Sequence, residues 1–138
     1  MNEAYQNSDA ILNLYNYMTN PVKTMGLTGG YNLIPQYTVQ MMKTVKQIYG
    51  KDNGKQLLHI IISLSGAESI SKEAMYEISL YIASCFCDNQ VLFSVHSDTG
   101  HLHTHFMVNT VSFRDGSRIN ENEIKCSLTK ICAEIFPA

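Results

Sequence analysis

Four of the five histidines in this chain fall within ten positions, His96-Ser97-Asp98-Thr99-Gly100-His101-Leu102-His103-Thr104-His105. Histidines two apart on a strand project to the same side, with Cα atoms about 6.5 Å apart. Two such imidazoles can converge on one ion at about 2.1 Å each. A third histidine from a paired neighbouring strand then completes the set and leaves positions open for a substrate. His96 is placed to be that third ligand, and the pair is either His101 with His103 or His103 with His105. The bland alternative is a run of surface histidines in a turn. The register of these histidines against an apolar opposite face (Leu102, Phe106, Val108) argues against it. His59 stands alone in an earlier apolar stretch, where a hydrogen-bonded strand histidine describes it at least as well as a ligand does. Cys85, Cys87, Cys126 and Cys132 read as free thiols, because residues two apart on a helix do not face each other and nothing points to an oxidising compartment.

The elements that must carry these residues follow from apolar spacing. Ile11, Leu14, Tyr15 and Met18 repeat at helical intervals, predicting a first helix over residues 9–19 that Asn20-Pro21 stops. Gly26 to Gly30 reads as a turn. Pro35 opens a second helix near residues 36–49, closed by Gly50. Residues 57–65 alternate as a strand, with Leu58, Ile60, Ile62 and Leu64 on one side and His59, Ser63 and Ser65 on the other. Ser71 caps a third helix to about Phe86, with Ala74, Ile78, Tyr81, Ile82 and Cys85 on one face. Residues 91–98 and 102–113 are two further strands, joined so closely that antiparallel pairing is the natural arrangement. Asn120 or Asn122 caps a last helix toward Ile135. The expected fold is an α/β (α+β) domain: a central, largely antiparallel sheet with helices mainly on one face, one of whose surfaces gathers His59, Ser63, His96, Asp98, His103, His105 and Asn109.

Length and composition fit that picture. A chain of 138 residues predicts one domain and can bury a substantial core. Acidic and basic residues nearly balance, 12 against 10, which excludes a highly charged disordered chain. No stretch approaches a membrane span, and Met1-Asn2-Glu3-Ala4 lacks the basic start of a secretory signal, so a soluble cytoplasmic protein is expected. The net charge of -2 means that any nucleic-acid surface must be a local patch. Lys43, Lys46, Lys51 and Lys55, with Arg114 and Arg118, are the candidates for it.

The segment His96-x-Asp98-Thr99-x-His101-x-His103-x-His105-x-x-x-Asn109 resembles the metal motif of MobA-type relaxases, the mobilization nucleases of the HUH endonuclease superfamily. Tyr17-Met18-Thr19-Asn20-Pro21-Val22-Lys23-Thr24 is similar to that family's Tyr-Ile-x-Asn-Pro-x-Lys-Thr segment. Gly29-Gly30-Tyr31-Asn32, then a helix, then His59-Ile60-Ile61-Ile62-Ser63 follows its order and spacing, as does Val111-Ser112-Phe113-x-x-Gly116. The resemblance covers residues 17–120. It implies a single relaxase-like nuclease domain over residues 1–138. Such an enzyme nicks one strand of DNA at the transfer origin of a plasmid or other mobile element through a 5′-phosphotyrosine.

Matched residue by residue, the resemblance implies His96, His103 and His105 as ligands of a divalent ion. Magnesium or manganese is the family's choice; zinc is the other candidate on ligand type. The pair ending four residues before Asn109 fits the family spacing, which leaves His101 outside the set. Asp98 resembles the acid that orients a ligand histidine or helps deprotonate the tyrosine. Tyr17 is the implied nucleophile, and it falls off the apolar stripe that occupies Tyr15. A free tyrosine titrates near 10, so attack at neutral pH needs the metal, Lys23 or another base. Single-stranded origin DNA and accessory relaxosome proteins are the implied partners. His59, Asn109, Lys23 and His101 are kept as further site candidates.

Three departures from the family carry expectations of their own. Thr104 stands where a hydrophobic residue is usual, which predicts weaker packing behind the ligands. Met1 to Asn7 offers no basic strand, which predicts an open sheet edge. Relaxases generally continue past the point equivalent to Ala138 into regions for partner contacts. Two rival functions use the same residues: a catalytically weakened relaxase fold that binds DNA or a partner, and a zinc-dependent hydrolase with Asp98 or His59 as its base.

Overall fold

The computed structural model describes residues 9–24, 26–63, 70–97 and 102–135. Helix α1 (Ala10–Met18) buries Ile11, Leu14 and Met18 of the stripe read in the sequence, adds Ala10 to it, and leaves Tyr15 half-buried. Thr19 ends it by directing both its N–H and its hydroxyl at the Tyr15 carbonyl, at 3.0 and 2.7 Å. Pro21 then opens the four-residue helix α2 (Pro21–Thr24). The Asn20 side chain accepts the Val22 N–H at 3.0 Å and sets the angle of that restart. Pro35–Tyr37 forms one 3-10 turn leading into α3 (Thr38–Ile48). Helix α4 (Lys72–Ser84) is capped by Ser71 accepting the Ala74 N–H at 3.0 Å. Helix α5 (Glu121–Ile135) starts from Asn120, whose side chain accepts the N–H groups of Asn122 and Glu123. No helix among the described residues is long and apolar enough to cross a membrane, and the four cysteines are free thiols.

Strands β1 (Thr28–Tyr31), β2 (Leu57–Ser63), β3 (Val91–His96) and β4 (His103–Asn109) form one antiparallel sheet in the order β1-β3-β4-β2. The expected turn at Gly26 to Gly30 is partly wrong, because Thr28–Tyr31 pairs with Val91–Ser94 as an edge strand. Glycine weakens a strand and hides its periodicity. Here Gly29 is required by packing: a Cβ would lie 2.6 Å from the Phe93 ring and from the Tyr76 hydroxyl. The basic strand sought in Met1 to Asn7 falls outside the described residues.

Helices cover the sheet unequally. On one face α4 and α5 pack against Leu58, Val91, Phe93, Phe106 and Val108. On the other, α1 and α3 bring Ile11, Leu14, Met18 and Met42 onto Leu57, Leu92 and Met107. Both faces therefore carry helices, but α1 and α3 cover only part of theirs. The same alternation that buries Leu92 and Met107 turns Ser94, His96, His103 and His105 toward the uncovered remainder.

Helix α4 is turned relative to its expected face. It buries Met75, Ser79, Ile82 and Ala83 and leaves Tyr81 and Cys85 exposed. The Ser79 hydroxyl meets both the Met75 carbonyl at 2.7 Å and the Thr104 hydroxyl at 2.9 Å. Thr104, backing the histidines, is thus fully buried with its polar atom satisfied.

Candidate functional site

His96 ends β3 and pairs directly with His103, which begins β4. His105, two residues on, pairs with Ser94 on one side and Ile61 on the other. This register brings the three imidazoles together, with ring centres 4.4 Å apart for His96–His105, 5.4 Å for His96–His103 and 5.2 Å for His103–His105. Each offers one ligand atom, and these all lie within 4.8 Å of one another. His96 and His105 are buried and His103 is half-buried, so the cluster opens to solvent on one side. It is the one group among the described residues able to hold a metal ion with three or more such ligands. Asp98 and His101 lie outside the described residues.

The ring contacts assign roles to the nitrogens. Nε2 of His96 lies 3.0 Å from the Met18 carbonyl and 2.8 Å from the Ser94 hydroxyl. A carbonyl only accepts, so Nε2 carries the proton and donates, which places the ligating lone pair on Nδ1. The Ser94 hydroxyl donates to the same Met18 carbonyl at 2.8 Å. Met18 is the last residue of α1, so a candidate metal ligand is fastened to the end of the helix that carries Tyr17. Ser94 escaped the list of site candidates; its signal was a serine two residues before His96 on the polar side of an otherwise apolar strand. His59 reaches the cluster from β2, its Nε2 2.8 Å from Nδ1 of His105, with the rings stacked 5.0 Å apart. Burial, and next the neighbouring His96, lower the pKa of His59 below the usual histidine value. Three neutral-capable imidazoles on one open-sided surface are a donor set that suits a divalent cation.

Tyr17 stands beside this cluster and is 44 % exposed. Its centre is 5.4 Å from the His105 ring and 6.1 Å from the His96 ring. The Lys23 ammonium lies 5.0 Å from the Tyr17 ring centre. The Asn20-Pro21 restart produces that contact by folding α2 back, and the Lys23 carbonyl accepts the Ser97 N–H at 3.4 Å beside the end of β3. Tyr15, as its place on the stripe required, packs against the apolar cluster under α1.

Other candidates are placed elsewhere. Asn109 is fully buried under α3, where its amide donates to the Gln90 side chain at 3.0 Å and the Met42 carbonyl at 3.3 Å. It lies four residues along β4 from His105, about 13 Å away, so it joins helix to sheet and does not reach the histidines. Lys46 is a correction to the proposed phosphate-tracking group. Only 1 % of it is exposed, and its ammonium donates to the Gln56 carbonyl at 2.6 Å and to the Asn109 side chain. Lys51 donates to the Gly116 carbonyl, and Lys55 is paired with Glu121. Arg114 binds Asp88 at 2.9 Å, and Arg118 donates to the Asn53 carbonyl at 2.8 Å. Lys43 is exposed on α3.

Comparison with known proteins converges on one family. The family model for MobA/VirD2-like relaxases, nuclease domain, matches residues 17–137. Two proteins named "Protein rlx" from Staphylococcus aureus are 32 % and 29 % identical over 111 residues each, 76 % of this chain. A third of that name is 27 % identical over 88 residues. The chain spans only about a third of the length of these relatives, 34 %, 35 % and 26 % respectively. No solved structure matches the chain significantly.

Proposed function

The chain belongs to the family of MobA/VirD2-like relaxase nuclease domains, and from that premise we propose that it nicks one strand of DNA at a mobile-element transfer origin. In this reading Tyr17 is the nucleophile, and His96, His103 and His105 hold a divalent ion, magnesium or manganese. The observation that carries it is the half-exposed Tyr17 ring standing 5.4 Å from His105 beside the only three-histidine cluster among the described residues.

The Tyr17 oxygen attacks the scissile phosphorus. The bond from phosphorus to the 3′ oxygen breaks, the 5′ end stays on the enzyme as a phosphotyrosine, and the 3′ oxygen leaves as a hydroxyl after taking up a proton. A bound divalent ion supplies Lewis-acid polarisation of the phosphate oxygens. The covalent intermediate keeps the phosphodiester energy for rejoining. Lys23 supplies positive charge where the phenolic oxygen must become anionic. Ser94 and the Met18 carbonyl keep the His96 ring and the end of α1 in one arrangement. Asp98 is proposed to assist a ligand histidine or the departing tyrosine proton. Lys43 is proposed to contact DNA phosphates, and accessory relaxosome proteins to act beside this domain.

The test is incubation with labelled single-stranded oligonucleotides carrying an origin, with manganese, read on a denaturing gel. The parent forms a covalent protein–DNA adduct. Tyr17→Phe folds, binds metal as the parent does and forms none, a near-total loss, because no other group makes the same ester. Tyr15→Phe keeps the adduct. An adduct that survives in Tyr17→Phe but disappears in Tyr15→Phe overturns the assignment. Cleavage without any adduct favours the zinc-hydrolase reading, and binding without cleavage favours a weakened relaxase fold.

A further inference from the structure

We propose that His59 is a positioning residue for His105: its Nε2 accepts the Nδ1–H of His105 and holds that ring as the tautomer whose Nε2 lone pair faces a divalent cation. The inference rests on the three-histidine reading of the metal site and adds a fourth histidine that supplies no ligand atom.

The argument begins with register. On β2, Ile61 is the direct partner of His105 and His59 is the partner of Met107. His59 is therefore the diagonal neighbour of His105 on the same side of the sheet, within reach of a long side chain. Its ring lies nearly parallel to that of His105, at 26°, with Nε2 and Nδ1 2.8 Å apart. That is hydrogen-bond distance, so one of the two nitrogens carries a proton and the other does not. If His59 donated, Nδ1 of His105 would be the acceptor and its proton would sit on Nε2, where it would block a cation. If His105 donates, its Nε2 is left with the lone pair. Only the second arrangement is compatible with His105 as a ligand, so cation binding and this hydrogen bond require the same proton placement.

His59 then does for His105 what the Met18 carbonyl does for His96. Each buried ligand ring has one nitrogen engaged by the protein, which fixes tautomer and orientation together. The sequence pattern gains a reason as well. His59 sits in an apolar run, Leu57-Leu58-His59-Ile60-Ile61-Ile62, on the edge strand next to the ligand strand, where an aliphatic residue would satisfy packing but not the nitrogen of His105.

The experiment is titration of the full chain with manganese by calorimetry and with cobalt by visible absorption, on the parent, His59→Phe, His59→Gln and His105→Ala, beside metal-free melting curves. His59→Phe keeps a flat ring but has no acceptor, and it weakens metal binding about ten- to a hundredfold, the range seen when such outer contacts to a ligand are lost. His59→Gln, whose side-chain oxygen accepts a hydrogen bond, recovers most of the affinity. It also shows the parent's cobalt spectrum, because the three ligand atoms are unchanged. An affinity in His59→Phe within twofold of the parent overturns the proposal. So does a glutamine variant no better than the phenylalanine one at equal melting temperature, which would reduce His59 to packing. A loss in His59→Gln as complete as in His105→Ala, with an altered cobalt spectrum, would make His59 a ligand and also overturns it. If His105→Ala binds metal as the parent does, or the parent binds none, the three-histidine reading itself fails.

Discussion

Lys23 is the cation beside the proposed nucleophile, and its contribution to reactivity can be tested. Its ammonium stands 5.0 Å from the centre of the Tyr17 ring, within reach of a cation–π contact, and a positive charge at that range favours the ring as it becomes anionic. The lysine is there because Asn20-Pro21 stops one helix and starts another at once, so the segment Tyr17 to Thr24 brings the proposed nucleophile and the cation together. Lys23→Met is expected to slow adduct formation about three- to tenfold under single-turnover conditions, with metal affinity unchanged, and Lys23→Arg to restore most of the rate. An unchanged rate in Lys23→Met would remove the cation from the chemistry. That Tyr17, His96, His103 and His105 stand free of the apolar packing was legible from a strand's period of two and a helix's stripe, while the preference for His103 with His105 over His101 with His103 came only from the family resemblance. The tie from Met18 to His96 was not legible, because it runs from the carbonyl of a core residue across 78 positions of sequence and leaves no mark in side-chain types.

Among the elements, the interface between α4 and β4 supports the ligand strand from behind, and its polar pair is a testable part. The Ser79 and Thr104 hydroxyls meet at 2.9 Å in a fully buried position. Ser79→Ala is expected to leave the Thr104 oxygen without this partner and to cost about 1–3 kcal/mol in urea unfolding. Thr104→Val leaves Ser79 bonded to the Met75 carbonyl and costs less. The double variant is expected to lose less than the sum of the two single losses, and simple additivity would show that the pair is not coupled. The same pair explains a misreading. The apolar residues of Ser71 to Phe86 favour a face through Ala74, Ile78 and Tyr81, yet the helix buries Ser79 because its partner waits on β4. Strand β1 was missed for a similar reason: its glycines are dictated by Phe93 and Tyr76, residues far away in sequence. Period and capping residues did reveal β2, β3, β4 and the starts of α4 and α5, since those signals are local.

At the scale of the whole molecule, the two ends of one sheet surface have opposite characters: histidines and Tyr17 at one, and at the other a polar network sealed beneath α3. Lys46 is the centre of that network, bound to the Gln56 carbonyl and to Asn109, which in turn accepts the Val111 N–H at 3.1 Å. It lies one turn after Met42 on the buried stripe of α3, a position that argues for burial although the residue type argues against it. Lys46 thus joins α3 to the loop before β2 and to the end of β4, and takes no part in a phosphate-tracking surface. Burial, with a smaller contribution from the Arg118 charge, lowers its pKa from 10.5 to about 7. The sign of the consequence follows from proton counting. Between about pH 7 and 10.5 the unfolded chain carries a proton on this lysine that the folded chain does not, so stability rises with pH in that window, by at most about 1.4 kcal/mol per unit. Below pH 7 both states are protonated and this contribution is flat. Lys46→Met removes the titrating group while keeping most of the buried volume. Urea unfolding of both proteins from pH 6 to 9.5 is expected to show the parent gaining stability relative to Lys46→Met only above about pH 7. Groups that titrate equally in both proteins cancel in the difference. Parallel curves across the whole range would mean that Lys46 keeps an ordinary pKa in the folded protein, its two oxygen acceptors offsetting the burial.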